Sequence, residues 1–254
     1  MTARKPAAAP ALPTRLWAFG KAELAALAAL FIAAGGLSAF LWIADEMSEE
    51  GPRGIDYRVL MFLRPGANPH DALGPAWLQR AATELTTLGG TTNLTLFVLI
   101  AVIFLLLHRR VASAVLVMIA VLGGTGISEL IKTLFGRDRP PLIYRAVETS
   151  NASFPSGHAM LSTITYLTLG AMLAQVMPGR RQKVFVFTTA VGLALIIGAS
   201  RIYLGVHWMT DVLAGWSLGA AWAMICWLAA WSIRRFLTRH RTPVSEPPVE
   251  EQPR

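Results

Sequence analysis

The sequence is poor in charge and in cysteine, and both shortages restrict the class of protein that it can encode. Charged residues make up only 15% of the 254 residues, whereas hydrophobic residues make up 54%. Soluble chains carry charge on about a quarter of their residues, so this composition argues against a water-soluble domain and predicts a membrane protein. The single cysteine, Cys226, cannot form an internal disulfide, which excludes a disulfide-stabilised scaffold.

Long uncharged runs recur along the chain. A helix needs about 20 apolar residues to cross the hydrocarbon core of a bilayer, and the runs predict six such helices. We place them at about residues 24–44, 90–107, 111–131, 158–178, 184–201 and 211–234. The predicted fold class is therefore all-α, a bundle of six transmembrane helices in a membrane domain of residues 22–237. Residues 1–21 form a predicted N-terminal tail, and the proline- and glutamate-rich residues 238–254 a predicted disordered tail.

Basic residues mark one side of the predicted bundle. They lie in the N-terminal tail, in two short links and after the last span, at Arg109, Arg110, Arg180, Arg181, Lys183, Arg234, Arg235, Arg239 and Arg241. Because short basic loops remain in the cytoplasm, we predict that both termini are cytoplasmic. The net charge of +8 then needs no nucleic-acid partner, since the sequence offers no basic soluble face with base-stacking aromatics.

The opposite side carries a second group of cations, where the same rule disfavours them. This group contains Lys132, Arg137, Arg139, Arg145 and Arg201. An anionic ligand explains their position. Three strings at these span ends provide the chemistry: Lys132 to Arg139-Pro140, Pro155-Ser156-Gly157-His158, and Ser200-Arg201 to His207 and Asp211.

The first two strings and Arg201 contain the groups expected around a phosphate. Arg139 and Arg201 are planar donors that can hold a phosphate through two parallel hydrogen bonds, and Lys132 is a compact cation. Pro155-Ser156-Gly157 precedes the fourth span, and the N-terminus of a helix favours an anion. Gly157 lets the backbone approach a ligand closely, and Ser156 adds a hydroxyl donor.

Two histidines add the means of catalysis. If His207 and Asp211 are helical, their spacing of four residues places them on one face, where the carboxylate can orient the imidazole. His158 allows a division of roles, in which one histidine attacks or accepts a proton and the other protonates the leaving oxygen. The residues alone leave open which histidine attacks, although Asp211 favours His207. We predict no metal ion and no other cofactor, because the nearby cations repel a metal and a third ligand is missing.

In this order and at these spacings the strings match K-x6-R-P, P-S-G-H and S-R-x5-H-x3-D, so the chain resembles the PAP2 (type-2 phosphatidic acid phosphatase) superfamily. The resemblance is strongest over residues 85–233. It implies a metal-independent membrane enzyme that hydrolyses a lipid phosphate at the periplasmic face of a bacterial inner membrane. It also implies that His207 attacks phosphorus to form a phosphohistidine, that Asp211 orients it, and that His158 protonates the leaving group. The implied phosphate-binding residues are Lys132, Arg139, Ser156, Gly157 and Arg201.

Several alternatives remain at this point. Undecaprenyl pyrophosphate is the first choice of substrate, followed by phosphatidylglycerophosphate and phosphatidic acid. The expected partners are a membrane lipid and the bilayer, with no obligate protein partner. A lipid phosphotransferase using the same site is the main alternative function. An anion transporter is disfavoured because the charges lie at span ends and no internal repeat is visible, and the intact His158, His207 and Asp211 disfavour an inactive relative.

Overall fold

The computed structural model describes residues 12–50, 54–147, 149 and 152–239. Over these ranges the chain is helical and contains no β-strand, which confirms the all-α prediction. The helices are α1 (Leu12–Glu50), α2 (Ile55–Phe62), α3 (Ala76–Thr87), α4 (Thr91–Leu107), α5 (Val111–Phe135), a short 3-10 helix (Leu142–Tyr144), α6 (Gly157–Val176), α7 (Arg180–Tyr203) and α8 (Met209–Arg239).

Five of these helices are individually long and apolar enough to cross a membrane: α5, α6, α7, residues Glu23–Met47 of α1 and residues Met209–Thr238 of α8. The sixth span is a bent pair, because α3 and α4 pass the same test only together and meet at an angle of 45°. The predicted bundle of six spans is therefore confirmed, with one span broken. The sequence did not predict this break, because Arg80 and Glu84 lie in α3 and the helix therefore contains no long apolar run.

The helices extend past the predicted span ends. α1 begins at Leu12, so residues 12–21 of the predicted tail belong to a helix. Arg15 and Lys21 interrupt the apolar run of the sequence but lie within the helix. Residues 1–11 of the predicted N-terminal tail and 240–254 of the predicted disordered tail lie outside the described residues.

Helix α8 is the centre of the bundle and packs against both α1 and α6. Small residues bring the helices together: an added Cβ at Gly36 of α1 would lie 2.6 Å from the Ser217 carbonyl oxygen, and one at Gly219 would lie 2.8 Å from that of Met160. Such contacts are typical of helix packing in lipid. Large apolar side chains such as Phe31 point outward, as expected of a surface that faces lipid.

A cap of short elements covers one end of the bundle. Arg64, which follows α2 and is buried, donates hydrogen bonds to the carbonyl oxygens of Leu63, Tyr203 and Tyr144 at 3.0, 3.0 and 2.9 Å. These bonds join the end of α2 to the 3-10 helix and to the last residue of α7. Gly205 has a positive φ of 67°, and its α-carbon lies against the Tyr144 carbonyl, where a side chain would collide. The cap therefore fixes the turn between α7 and α8.

Candidate active site

The three sequence strings meet at the capped end of the bundle. Lys132 lies in the last turn of α5, His158 in the first turn of α6, Arg201 in the last turn of α7, and Asp211 in the first turn of α8. His158 lies within electrostatic range of Lys132, Arg139, Arg201 and His207. The structure thus places both predicted histidines and all three predicted phosphate-binding cations in one cluster.

His207 is buried between a carboxylate and a guanidinium. Its Nδ1 lies 3.4 Å from Oδ2 of Asp211, and its Nε2 lies 3.0 Å from Nη1 of Arg139. Because a guanidinium only donates, Nε2 accepts and the ring proton belongs on Nδ1. Burial lowers the pKa of His207 to about 4, although the hydrogen bond that its Nδ1–H donates to Asp211 opposes that shift. At neutral pH His207 is therefore uncharged, with its Nε2 lone pair directed toward the cations.

Asp211 is fixed by the start of α8. It is completely buried, and its Oδ2 accepts hydrogen bonds from the backbone N–H of Trp208 at 2.9 Å and from Oγ of Ser153 at 2.5 Å. A carboxylate in the first turn that reaches back to the residue before the helix is a known way of satisfying a free N–H. The condition for a shared helical face is not met, because α8 begins only at Met209 and His207 lies in the preceding turn. The two side chains still meet.

The two arginines of the site differ in how their donors are used. Arg139 also donates to the Val206 carbonyl oxygen at 2.9 Å, and burial lowers its pKa while the nearby Asp211 opposes the change. Arg201 is 4% exposed and donates from Nη1 to Oγ1 of Thr86 at 3.2 Å. Its Nε is buried without a hydrogen-bond partner among the described residues. A buried donor without a partner is costly, and an anion at this position would remove that cost.

The start of α6 brings backbone N–H groups next to Lys132. Ser156 is buried, and its Oγ accepts a hydrogen bond from the backbone N–H of Ala159 at 3.5 Å, as a helix cap does. An added Cβ at Gly157 would lie 3.4 Å from Nζ of Lys132, so the glycine keeps the space between this amine and the helix open. The cap uses an acceptor lone pair of Ser156 and leaves its O–H able to donate. Phosphate binding by Ser156 and Gly157 stays a prediction.

The break between α3 and α4 forms the wall beside His158. An added Cβ would lie 3.4 Å from Cδ2 of His158 at Gly89 and 3.9 Å from its Nε2 at Gly90. The hydroxyl of Tyr166 donates to the Leu88 carbonyl oxygen at 2.8 Å, which holds the break against α6. The bent span therefore contributes the surroundings of His158 as well as Thr86, the partner of Arg201.

Three further polar residues, Ser153, Arg137 and Asp56, support the site without having been predicted to do so. Arg137 donates from Nη1 to Oδ1 of Asp211 at 2.5 Å and from Nη2 to Oδ2 of Asp56 at 2.8 Å. The sequence placed Arg137 among the outer cations but gave it no role. In the sequence, a role for Asp56 was indicated only by its being the single acid in the mostly apolar stretch that forms α2.

No group of three or more His, Cys, Asp or Glu side chains within the described ranges is arranged to hold a metal ion. The independence from metal stays a prediction that an assay must test.

Lys132 forms an ion pair with the exposed Glu129 at 2.7 Å, one turn away on α5.

Comparison with known proteins identifies the family that the chain resembles. The model of the PAP2 superfamily matches residues 110–235. The chain is 32% identical to phosphatidylglycerophosphatase B of Bacillus subtilis over 147 residues, which cover 56% of this chain and 70% of that relative. It is 28% identical to undecaprenyl-diphosphatase of Sulfolobus acidocaldarius over 99 residues, 37% of this chain and 44% of that protein.

A solved structure matches over most of the fold. The crystal structure of a transmembrane PAP2 type phosphatidylglycerolphosphate phosphatase from Bacillus subtilis superposes with a TM-score of 0.70 at 25% identity, covering 82% of this chain and 99% of that one. Helical spans and sequence relatives together define a multi-pass membrane phosphatase. The chain belongs to the PAP2 superfamily.

Proposed function

We propose that the chain hydrolyses a lipid phosphate or diphosphate at the outer face of a bacterial inner membrane, through a phosphohistidine at His207. The observation that carries this proposal is the environment of His207 Nε2, which accepts from Arg139 at 3.0 Å and faces the basic cluster. A neutral imidazole with a carboxylate behind it is an activated nucleophile. The relatives named phosphatidylglycerophosphatase B and undecaprenyl-diphosphatase support a lipid as substrate.

In the first step Nε2 of His207 attacks phosphorus, and the bond from phosphorus to the leaving oxygen breaks. Asp211 stabilises the positive charge that develops on the ring through Nδ1. Lys132, Arg139 and Arg201 bind the phosphoryl oxygens, whose charge is stabilised most strongly in the transition state. The leaving oxygen takes a proton from a protonated His158.

In the second step the neutral His158 accepts a proton from water, and the water oxygen attacks phosphorus. The bond from phosphorus to Nε2 breaks, inorganic phosphate leaves, and both histidines return to their starting states. His158 is suited to both proton transfers because its ring lies beside Gly89 and Gly90, which carry no side chain that would fill the space next to it. One residue thus acts first as acid and then as base.

The position of the site suits an amphiphilic substrate. The cluster lies at the ends of four spans, where the hydrocarbon region meets the headgroups, so the apolar tail of a lipid can remain among the helices while its phosphate reaches His207. Undecaprenyl pyrophosphate remains the first choice, because hydrolysis outside the membrane would release its phosphate there. Phosphatidylglycerophosphate and phosphatidic acid are the next choices.

The decisive assay is release of inorganic phosphate by purified protein from each of these three lipids supplied singly. Release from one lipid without an added acceptor supports hydrolysis, whereas activity only with a second lipid would indicate the phosphotransferase. In His207→Ala we expect turnover to fall by about 10⁴-fold or more, as when a nucleophile is removed. The control is His70→Ala, since His70 is exposed in the segment between α2 and α3. Activity of His207→Ala close to that of the control would refute the nucleophile assignment.

The same assay tests the requirement for metal. We expect phosphate release to persist in excess chelator, because the cations of the site already supply the charge that a metal would. A loss of activity that added Mg²⁺ restores would contradict the metal-independent mechanism.

A further inference from the structure

We propose that Asp56 of α2, acting through Arg137, is a positioning residue that holds the Asp211–His207 pair in its reactive arrangement. The inference rests on the proposed role of His207 as nucleophile. Asp56 lies outside residues 110–235, the part of the chain that the superfamily model matches. An element outside the matched region thus contributes to the alignment of the nucleophile.

The three charges form a buried chain. Asp56 is 3% exposed, the Arg137 side chain 8%, and Asp211 is fully buried. Arg137 uses separate nitrogens for the two carboxylates, Nη1 for Asp211 and Nη2 for Asp56. Because one guanidinium is shared by two acids, Asp56 takes up part of the positive charge that Arg137 would otherwise direct at Asp211.

Asp56 also caps the helix that carries Asp211. Its Oδ1 accepts from the backbone N–H of Thr210 at 2.9 Å, and its Oδ2 accepts from Oγ1 of Thr210 at 2.6 Å. Trp208, the residue before Met209 and hence before α8, has no side-chain oxygen with which to accept that N–H. A carboxylate at the N-terminus of a helix is favourable, and here it comes from another helix. Asp56 therefore fixes both the start of α8 and the partner of Asp211.

The consequence concerns the basicity of His207. If Asp56 is made neutral, the full charge of Arg137 acts on Asp211, whose carboxylate then attracts the Nδ1 proton of His207 less strongly. Nε2 becomes a weaker nucleophile, although nothing that contacts substrate has changed. The expected signature is a loss in kcat with little change in KM.

The test compares Asp56→Asn with Arg58→Gln. Arg58 lies on the same helix, is exposed, and bonds from Nε to the Gly54 carbonyl oxygen. For Asp56→Asn we expect kcat to fall about 10–100-fold, as for residues that orient a functional ligand, with KM within about twofold of the control. Each rate is divided by the amount of folded protein, which is measured by thermal unfolding in detergent.

A second measurement does not depend on turnover. The Nδ1–H resonance of His207, assigned as the imidazole signal that His207→Ala removes, reports the contacts of Nδ1 with Asp211 and with Ser153, each at 3.4 Å. We expect Asp56→Asn to shift this resonance upfield and Arg58→Gln to leave it in place. This comparison decides the inference even if no tested lipid is hydrolysed, the outcome in which the proposed function fails.

One result overturns the role of Asp56 and leaves the proposed function standing. In that result the wild type hydrolyses lipid phosphate, His207→Ala does not, and Asp56→Asn has the same kcat as Arg58→Gln. A rise in the KM of Asp56→Asn with unchanged kcat overturns the proposal as well, because a positioning role predicts a lower kcat with unchanged KM. If Asp56→Asn does not fold, Asp56→Glu takes its place. That variant keeps the charge and displaces the carboxylate, and a wild-type kcat in folded Asp56→Glu also overturns the proposal.

Discussion

At the scale of single residues, the acid–base state of His207 governs what the site can do. Burial favours the neutral imidazole and is the main reason why its pKa is lowered to about 4, with Arg139 and Arg201 acting in the same direction. Asp211 acts in the opposite direction and keeps the ring basic enough to attack. The environment thus combines an unprotonated Nε2 at neutral pH with a carboxylate that stabilises the charge formed during attack.

These shifts predict the pH dependence of catalysis. Protonation of Nε2 removes the lone pair, so kcat/KM is lost as pH falls through the pKa of His207. We expect the acid limb at about pH 4 and not at the unperturbed value of about 6.5. In Arg139→Gln a cation is removed, the pKa of His207 rises, and the acid limb moves to higher pH.

The measurement is kcat/KM against pH for both proteins with one substrate, so that ionisation of the substrate affects both profiles equally. An acid limb that stays in place in Arg139→Gln, or that moves to lower pH, would show that another group controls it. Arg58→Gln serves as the control for loss of a positive charge outside the site.

At the scale of elements, catalysis depends on how closely α8 packs on α6, because each helix carries part of the site. An added Cβ at Gly215 of α8 would lie 2.8 Å from the Ser156 carbonyl oxygen and 3.0 Å from Cβ of Ala159. Next to this contact, the backbone N–H of Ser156 donates to the Asp211 carbonyl oxygen at 3.0 Å. The spacing of the two helices therefore sets the distance between the His158 and Asp211 segments.

Gly215→Ala is expected to force α8 and α6 apart. Overpacking of this kind costs about 1–3 kcal/mol of stability, and we expect kcat to fall as well, because His158 and His207 no longer share one phosphoryl group. Gly192→Ala in α7 is the matched control, since nothing lies within 4 Å of an added Cβ there. Thermal unfolding and phosphate release are measured on both variants. A Gly215→Ala protein as stable and as active as Gly192→Ala would exclude this role for the helix contact.

A feature of these elements can be predicted from sequence when the residues that form it lie close together in the chain. Five spans, the α4 part of the sixth and the three strings were predictable because each is a continuous run, and Arg201 and Asp211 lie close to the ends of such runs. The partnership of Arg137 with Asp56 was not, because 81 positions separate the two residues and no spacing rule connects them. The break beside His158 was missed for a related reason, since α3 is too polar to read as part of a span.

At the scale of the whole molecule, the charge is divided between the two ends of the bundle. The end opposite the site carries Arg109, Arg110, Arg180, Arg181, Lys183 and Arg234, together with an ion pair between Arg235 and Glu23 that joins α8 to α1. At the site end, Arg137 and Lys132 pair with Asp56, Asp211 and Glu129. Basic loops remain in the cytoplasm, so this division favours a site that faces outward.

That orientation can be tested by labelling single cysteines in intact cells. Cys226 is buried and is the sole native cysteine, so replacing it by alanine gives a clean background. His70→Cys then places a thiol in the exposed segment between α2 and α3 at the site end, and Gln182→Cys places one in the first turn of α7 at the other end. A membrane-impermeant maleimide should label the first variant in cells with a permeabilised outer membrane, and the second only after the inner membrane is opened. The reverse pattern would place the site in the cytoplasm, where His207 would act on lipids of the inner leaflet, and would remove the reason for preferring a substrate that is dephosphorylated outside.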